Sequence, residues 1–523
     1  MQNVTKKLLA ITLLLSFVPM QADADADDSA TSGLSYFLPR AQNGTAVDVF
    51  GWEESIHKYD ADTFYFDFKT QSEFRQSFNS TGLGQYIFFN GTNSMNFGPA
   101  QPTDTDTDVF SMNFLLPVGF ESVVTAKPKV QSSITDFSFF VGLDEWCPGL
   151  YVSAHLPLVW TRWNAHLTEV NVTECPTTYA AGDVQAAAGL ATSYTNVVDA
   201  FKGNSTVTTA PIWTYGVING SQSKTRLGDV AVNLGYDFIS KENAHLGVAV
   251  RGLFGAGGKS KANYVFEPTI GMAGRMGVGG MIDGHVRLWE KDEDHHICAF
   301  LNGYAVHVFD NTQVRSFDLT ASGVGSRYNL VKRLTTIAAA SANNVYGNLD
   351  NMINIGTQGA KISIGAAYEV TLQFSYIANK INFDFGYTGG GHSKEKFSSF
   401  ADADAIPANT YLLYNINGGD ILTLATSSLG SSEVFVNGNA SGATTAAVQV
   451  STEDTYCIDN DWLDTDSALA PSTFASCFYA NLGYTWKNND WQPNVSIFTN
   501  VEFGGGNKTL HTWGVGLQGN VSY

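Results

Sequence analysis

Alternation of apolar and polar residues with a period of two is the dominant pattern along this chain. From His511 to Tyr523 the odd positions are mostly apolar or aromatic, whereas the even positions are small or polar. Side chains of a β-strand point alternately to opposite faces, so this pattern predicts a strand with one apolar and one polar face. The same pattern recurs at 109–116, 120–127, 137–143, 150–160, 230–238, 246–250, 278–288, 298–308, 362–376, 381–387, 478–486 and 491–503.

Short turns and long polar loops alternate between the predicted strands. The short turns lie at 144–149, 239–244, 291–296, 377–380 and 487–490, and the long loops lie at 161–225, 255–273, 310–360 and 388–477. Strands of about nine residues can cross a membrane when tilted, and this asymmetry of connections is typical of outer-membrane barrels. Residues 61–523 are therefore predicted to form an all-β, antiparallel transmembrane β-barrel of about 14 strands, with roughly 12 to 16 allowed, short periplasmic turns and long extracellular loops.

The first residues have the pattern of an export signal. Lys6 and Lys7 precede an apolar run at 8–18, and small residues follow at 22–26. We therefore predict a signal peptide at 1–24, with a permanent N-terminal anchor as the alternative. Residues 25–60 are predicted to be an N-terminal periplasmic segment that leads into the barrel, and no secondary structure is assigned to them.

Composition narrows the class of protein further. Charged residues make up 15% and aromatic residues 13% of the chain, and the formal net charge is -20. The aromatic content argues against a disordered chain, and the acidity argues against nucleic acid as a partner. The five cysteines leave at least one thiol unpaired, and a disulfide between Cys457 and Cys477 fits within one loop.

Aromatic residues recur near the ends of the predicted strands. Interfacial girdles of membrane barrels place amphipathic rings at such positions. The alternative is that these rings cap an ordinary β core. The residues concerned are Tyr151, Trp160, Trp163, Tyr236, Trp289, Tyr376, Trp486, Trp491 and Tyr523.

The export signal, the repeated hairpins, the stretch 228–236 and the terminal strand together resemble a bacterial porin-type outer-membrane protein. The terminal β-signal of such proteins usually ends in Phe, whereas this chain ends in Tyr523. The resemblance implies a bacterial outer-membrane location and passive diffusion of small hydrophilic solutes and ions, often through homotrimers. It also implies contact with outer-membrane lipid and recognition of the C-terminal strand by the barrel-assembly machinery.

Charged residues on the face opposite the apolar one are the candidate pore lining. A Lys or Arg at the bilayer midplane costs about 2–4 kcal/mol, so these side chains are expected to face the interior. The alternative is that they pair across a packed interior and leave no channel. The pore-lining candidates are Asp229, Asp237, Arg251, Asp283, Arg287 and Glu369.

A basic loop between Asp310 and Lys361 is the candidate pore constriction. It carries Arg315, Arg327, Lys332 and Arg333, which could face lumen carboxylates such as Asp229 or Asp283 and filter ions. A solvated external loop is the alternative reading, and the loop 388–477 is a second candidate constriction.

Signatures of catalysis and cofactor binding are absent from the sequence. It contains no GxSxG, no HExxH and no dinucleotide fingerprint in a βαβ context. We therefore expect no enzyme activity, no cofactor and no metal, and we interpret the acidic and histidine cluster 292–296 as a solvated turn. A barrel-anchored surface or adhesion protein and a barrel-embedded hydrolase remain the alternatives to a porin, because spatial constellations are not visible in sequence.

Overall fold

The computed structural model describes most of the chain. In the part of the chain that the structure describes, no helix combines the length and the hydropathy that crossing a membrane as a helix requires. The described residues are 33–42, 56–58, 63–99, 108–117, 119–174, 194–203, 212–292, 294–333, 349–403, 405–407, 410–413, 458–487, 491–505 and 510–523.

Antiparallel strands close into a barrel of twelve. Each strand pairs with the barrel strands that precede and follow it along the chain. The last strand pairs with the first, from Asp67 opposite Ser522 to Ser77 opposite Thr512. In chain order the strands are β1 (Tyr65–Ser77), β2 (Lys129–Gly142), β3 (Leu150–Asn164), β4 (Asp229–Lys241), β5 (Ala244–Gly255), β6 (Met276–Asp292), β7 (His295–Val308), β8 (Gly365–Ala378), β9 (Ile381–His392), β10 (Thr473–Thr485), β11 (Gln492–Gly505) and β12 (Thr512–Ser522).

The two faces of the barrel wall differ as the period-two pattern predicts. Large apolar side chains point outward and are exposed, for example Leu234 at 55%, Val250 at 63% and Leu517 at 61%. Inward side chains are mostly polar and buried, such as Gln71 on β1 and Asn233 on β4. A closed sheet satisfies its own backbone hydrogen bonds, which a strand in hydrocarbon requires. The predicted transmembrane β-barrel is therefore confirmed.

The strand number is twelve rather than about 14. The predicted strands at 109–116 and 120–127 do not cross the barrel, because the short strands Val109–Phe110 and Ser122–Ala126 belong to a small separate sheet. Conversely, β1 was not predicted, because its outward positions include the polar Thr70 and Ser72, which interrupt the apolar face. An extra strand, Ser221–Leu227, pairs with the second half of β3.

Two of the predicted girdle aromatics face the interior instead. Tyr151 and Trp163 lie on the inward positions of β3 and are 2% and 0% exposed. The outward set near the turns is formed by Tyr236, Trp289, Tyr376, Trp486, Trp491 and Tyr523.

One end of the barrel carries short turns and the other carries long connections. The turns join β2 to β3, β4 to β5, β6 to β7, β8 to β9 and β10 to β11, and Tyr65 and Tyr523 lie at the same end. The connections at the other end run over 78–128, 165–228, 256–275, 309–364 and 393–472, with a short one at 506–511. We call the first the turn end and the second the loop end.

The described parts of the long connections form a cap over the loop end. Its largest apolar cluster includes Phe114, Phe201, Trp213 and Tyr328, whose rings are in contact. Its helices are Ser80–Ile87, Val197–Ala200 and Met352–Ile355, with 3-10 turns at Ser111–Phe114, Ser326–Tyr328, Asn460–Trp462 and Thr465–Ala468. Its strands are Ser94–Gly98, Val109–Phe110, Ser122–Ala126, Leu167–Val170, Asn311–Ser316, Asp318–Leu319, Leu330–Arg333, Leu349–Asn351, Thr357–Ser363, Lys396–Phe400, Tyr411–Leu413 and Leu463–Asp464.

Residues 33–42 and 56–58 lie inside the cap and the barrel. The backbone N–H of Gly33 donates to Tyr86 O in the cap, Arg40 reaches carboxylates of the wall, and His57 lies near the turn end. These described parts of the segment 25–60 therefore lie in the lumen and the cap, and the periplasmic position of the segment stays a prediction. Apolar burial and ion pairing both hold them there, since Phe37 and Leu38 are 4% and 1% exposed within apolar clusters and Arg40 faces acidic side chains on the inner wall. We call residues 33–42 and 56–58 the N-terminal segment.

Candidate functional site

Most pore-lining candidates lie on the inward face of the wall, but their surroundings are packed. Asp229, Asp237, Arg251, Asp283 and Glu369 are each 8% exposed or less. Their partners belong to the wall, the cap and the N-terminal segment.

Two of these residues illustrate the packing. The Oδ2 atom of Asp229 accepts a hydrogen bond from Met272 N at 2.7 Å. The Arg251 guanidinium donates to Asn233 Oδ1 at 3.2 Å and lies 4.2 Å from the centre of the Tyr304 ring. A small cavity remains beside them, between residues 41–42 and the wall.

Arg287 differs from the other lining candidates. It lies close to the turn end of β6, and its Nη1 atom is 3.4 Å from Glu290 Oε2. That carboxylate is about half exposed, so the pair is near solvent rather than in the packed interior.

Arg315 and Arg327, two of the constriction candidates, lie in the cap and pair with carboxylates other than Asp229 and Asp283. Arg315 pairs with Glu395 at 3.1 Å, and Arg327 donates from Nε to Asp318 Oδ1 at 2.9 Å. Both arginines are 1% exposed. Their role in restricting a pore stays a prediction. Lys332 and Arg333 belong to the cap strand Leu330–Arg333, and their side chains lie outside the described residues.

These arginines also hold the N-terminal segment. The Arg315 guanidinium stacks 3.3 Å from the ring centre of Tyr36, and Arg327 Nη2 donates to Gly33 O at 2.6 Å. Arg275 joins Arg315 on Glu395, at 2.7 Å. Burial by itself would raise the pKa of Glu395, but the two guanidiniums outweigh it and hold that pKa below its ordinary value.

Arg40 bridges two strands of the wall from within the lumen. Its Nη1 atom lies 2.6 Å from Glu369 Oε2 on β8, and its Nη2 atom donates to Glu502 on β11. The side chains of the three residues are 8%, 3% and 8% exposed. The N-terminal segment is therefore fixed across the lumen by a buried ion-pair network, which we call the Arg40 clamp.

A second attachment lies near the turn end, where two carboxylates converge over a glycine. Gly247 on β5 is the cross-strand partner of Asp237 on β4 and of Asp283 on β6. A Cβ atom there would lie 2.3 Å from Asp237 Oδ1 and 2.7 Å from Asp283 Oδ1. Since β4 and β6 are two strand spacings apart, roughly 9.6 Å, only the absence of a side chain lets the two acids meet.

Histidines complete this cluster from two directions. His245 precedes Gly247 by two residues, so it shares the inward face of β5, and it is paired in register with His285 on β6. His57 reaches in from the N-terminal segment, with Nδ1 2.7 Å from Asp237 Oδ2 and its ring stacked on His245 at 4.2 Å. We call His57, Asp237, His245 and Asp283 the His–Asp cluster.

Neighbouring side chains orient the members of the cluster. The Tyr151 hydroxyl donates to Asp283 Oδ2 at 2.5 Å, so that Oδ1 of the same carboxylate faces the histidines. The Nδ1 atoms of His245 and His285 share a hydrogen bond, which leaves His245 Nε2 to face Asp283 Oδ1 at 3.3 Å.

The sequence contained part of the signal for this cluster. Period-two alternation already placed Asp237 and Asp283 on the lumen face. Counting outward from the tight turn between β4 and β5 would have brought Asp237 close to Gly247. The long connection 256–275 leaves the register of β6, and therefore the position of Asp283, open in the sequence. His57 gave no such signal, because it lies in the irregular stretch 27–60, where no periodicity fixes the direction of a side chain.

Two other sequence predictions concern metal ligands and thiols. At the 292–296 turn, the exposed Asp292 and half-buried His295 form a pair at 2.7 Å. Cys477 is a free buried thiol on β10, and Cys457, its partner in the predicted disulfide, lies outside the described residues.

No protein-family model matches the chain, and no curated protein matches its sequence. Solved structures of similar architecture include an outer-membrane channel from Pseudomonas putida F1, with 8% identity, 89% of this chain and 98% of that chain covered, and a TM-score of 0.35. A mutant of the TodX monoaromatic hydrocarbon channel has 8% identity, coverages of 95% and 98%, and a TM-score of 0.33. A FadL homologue from Pseudomonas aeruginosa has 6% identity, coverages of 88% and 90%, and a TM-score of 0.25.

Proposed function

We propose that this protein is a gated channel of a bacterial outer membrane, closed by its own N-terminal segment. The observation that supports the proposal most directly is the Arg40 clamp, which crosses the lumen between β8 and β11. A segment that only led into β1 would have no need of buried ion pairs inside the barrel. Ion pairs of this kind can also be exchanged for water, so the attachment is reversible.

Polar wall residues favour a hydrophilic permeant. The wall carries more inward acids than inward bases, and displacement of the segment removes the cation Arg40 from the lumen. An open lumen would therefore concentrate cations by its field. The inward acids are Asp67, Glu73, Asp136, Asp229, Asp237, Asp283, Glu369, Asp384 and Glu502, and the inward bases away from the turns are Lys69, Arg75 and Arg251.

Opening requires movement of the N-terminal segment. The inward side chains of the described strands are largely buried, for example Lys69 at 2%, Gln373 at 0% and Gln518 at 3%. Side chains lining a water-filled channel would be in contact with solvent. In the proposed function, passive transport of small hydrophilic solutes and ions takes place only after the segment has moved, without a catalytic step.

Planar-bilayer recording tests the proposal. Wild-type protein should give rare openings, and a variant lacking residues 33–58 should give stable ohmic steps with preference for cations. Heat-modifiable migration on a gel would show that the variant barrel is folded. A folded deletion variant that stays silent would refute the channel.

A surface or adhesion protein is the second candidate, because the cap has apolar cores of its own. One centres on Phe114 and Tyr328, and another contains Phe317, Met352 and Leu463. Such a cap could present a rigid binding surface while the barrel only anchors it. Silence of both wild type and deletion variant would favour this candidate.

A further inference from the structure

Four metal-ligating side chains meet at the turn end of the lumen, where transport of a solute does not require them. They are the two imidazoles and two carboxylates of the His–Asp cluster, and one donor atom from each lies within 4.8 Å of all the others. We propose that this cluster binds one divalent transition-metal ion of the zinc type. The ion would join the N-terminal segment, through His57, to three strands of the wall.

The donor spacing is close to that of a tetrahedral site. With metal–ligand distances of about 2.0–2.1 Å, neighbouring donors of a tetrahedral zinc site lie roughly 3.3 Å apart. His245 Nε2 is 3.3 Å from Asp283 Oδ1, and His57 Nε2 is 3.7 Å from the same oxygen. Small rotations of the side chains would therefore complete the coordination without movement of a strand.

One carboxylate oxygen points into the cluster without satisfying a hydrogen bond. Among the residues that the structure describes, Asp237 Oδ1 is buried and has no hydrogen-bond partner. It approaches the position above Gly247 that Asp283 Oδ1 also approaches. Buried carboxylate oxygens are normally paired, and a cation placed between these two oxygens would satisfy both.

The side chains of the cluster are held by hydrogen bonds of the kind that surround metal sites. Ligating carboxylates and imidazoles are commonly held by hydrogen bonds from their second atoms. Asp283 accepts such a bond from Tyr151, and His245 exchanges one with His285. The cluster is thus oriented before any ion arrives, which lowers the cost of binding.

Donor chemistry selects the class of ion. Two imidazoles suit zinc and its transition-metal neighbours, whereas calcium takes six to eight oxygens and magnesium keeps an octahedral shell of oxygen ligands. Two carboxylates also balance a double positive charge, so the loaded site is neutral in an enclosed environment.

Cobalt(II) is a suitable probe, because its visible absorption reports the coordination geometry. Full-length protein in detergent, treated with a chelator and dialysed, should bind one equivalent of Co²⁺ with a tetrahedral spectrum, and Zn²⁺ should displace it. His57→Gln and Asp237→Asn should abolish stoichiometric binding. Tyr151→Phe should weaken it by about 10- to 100-fold through the orienting hydrogen bond.

His295→Gln is the matched control, because His295 also contacts an aspartate but lies in the turn with Asp292. It should bind Co²⁺ like the wild type. The His57 substitution leaves the barrel strands unchanged, so heat-modifiable migration should persist in that variant. Wild-type protein that binds no Co²⁺, or binding that survives both ligand substitutions, would overturn the site.

The metal site goes beyond the proposed function, and the two can fail separately. Binding is measured in detergent without a membrane potential, whereas the channel is measured by conductance. A protein that binds Co²⁺ but never conducts would retain the metal site and lose the channel.

Discussion

The Arg40 clamp gives the most direct test of gating. Replacing Arg40 with alanine removes a guanidinium that contacts Glu369 at 2.6 Å and also contacts Glu502. All three side chains are at most 8% exposed, so the two carboxylates would lose their cation in a poorly hydrated place. Removing one partner from a buried ion pair typically costs about 3–5 kcal/mol.

The substitution destabilises the closed state and not the open state, because water reaches the carboxylates once the segment has left. Each 1.4 kcal/mol changes an equilibrium by about tenfold, so a loss of about 3 kcal/mol raises the ratio of open to closed channels by roughly 100-fold. Single-channel recording of Arg40→Ala should show an open probability increased by this order. The unitary conductance should change much less, since the strand number is unchanged.

Arg251→Gln is the control for charge and burial. Arg251 is 3% exposed and donates to Asn233 at 3.2 Å, and both residues lie on strands of the wall, so their contact does not hold the N-terminal segment. This variant should keep the low open probability of the wild type. Equal activation by both substitutions, or no activation by Arg40→Ala, would show that the clamp does not control opening.

Other predictions concern the cluster, the lipid face and the cap. Gly247→Val should abolish Co²⁺ binding by filling the space between the two carboxylates. Gly280→Ala should not, because the nearest atom to the added Cβ would be Ala249 O at 3.8 Å. Leu517→Arg should lower the free energy of unfolding in lipid vesicles by about 2–4 kcal/mol in urea titrations, and Ile212→Arg on the exposed cap should change it little. Because Glu395 has a lowered pKa, its stabilisation of the cap should be full above the ordinary glutamate pKa and be lost as pH falls through the lowered value. Tryptophan fluorescence during acid titration would follow this loss, and Glu395→Gln should remove that dependence.

Outcomes that would contradict these predictions are equally specific. Undiminished Co²⁺ binding by Gly247→Val would place the ion elsewhere. Equal destabilisation by Leu517→Arg and Ile212→Arg would mean that the outward face of β12 does not contact lipid. An acid transition that persists in Glu395→Gln would assign it to other carboxylates.

The barrel wall could be predicted because its signal is local. A strand with one face on lipid and the other on a polar lumen has to alternate, and β12 shows this clearly between Trp513 and Gln518. The period-two pattern wrongly predicted a barrel strand at Ser122–Ala126, because this strand of the cap also alternates between buried and partly buried positions. It also failed in β1, where the polar residues Thr70 and Ser72 interrupt the outward apolar face.

Charged residues in the loops could not be placed in the same way. The sequence shows Arg315 and Arg327 in a basic stretch, but their partners Glu395 and Asp318 were not distinguishable from other acids. For Arg315 the partner is 80 residues away in the chain. Only the packed cap decides which carboxylate is near enough to offset the burial of a guanidinium.

The sequence by itself determined an all-β transmembrane barrel, its short turns and the polarity of its two faces, because these follow from the period of side-chain direction along each strand. The tertiary structure alone decided where the N-terminal segment lies and which groups meet His57. That segment has no period, and its position depends on apolar contacts and buried charges from distant parts of the chain. The position of the segment and the His–Asp cluster thus arise from long-range contacts, whereas the wall around them arises from local pattern.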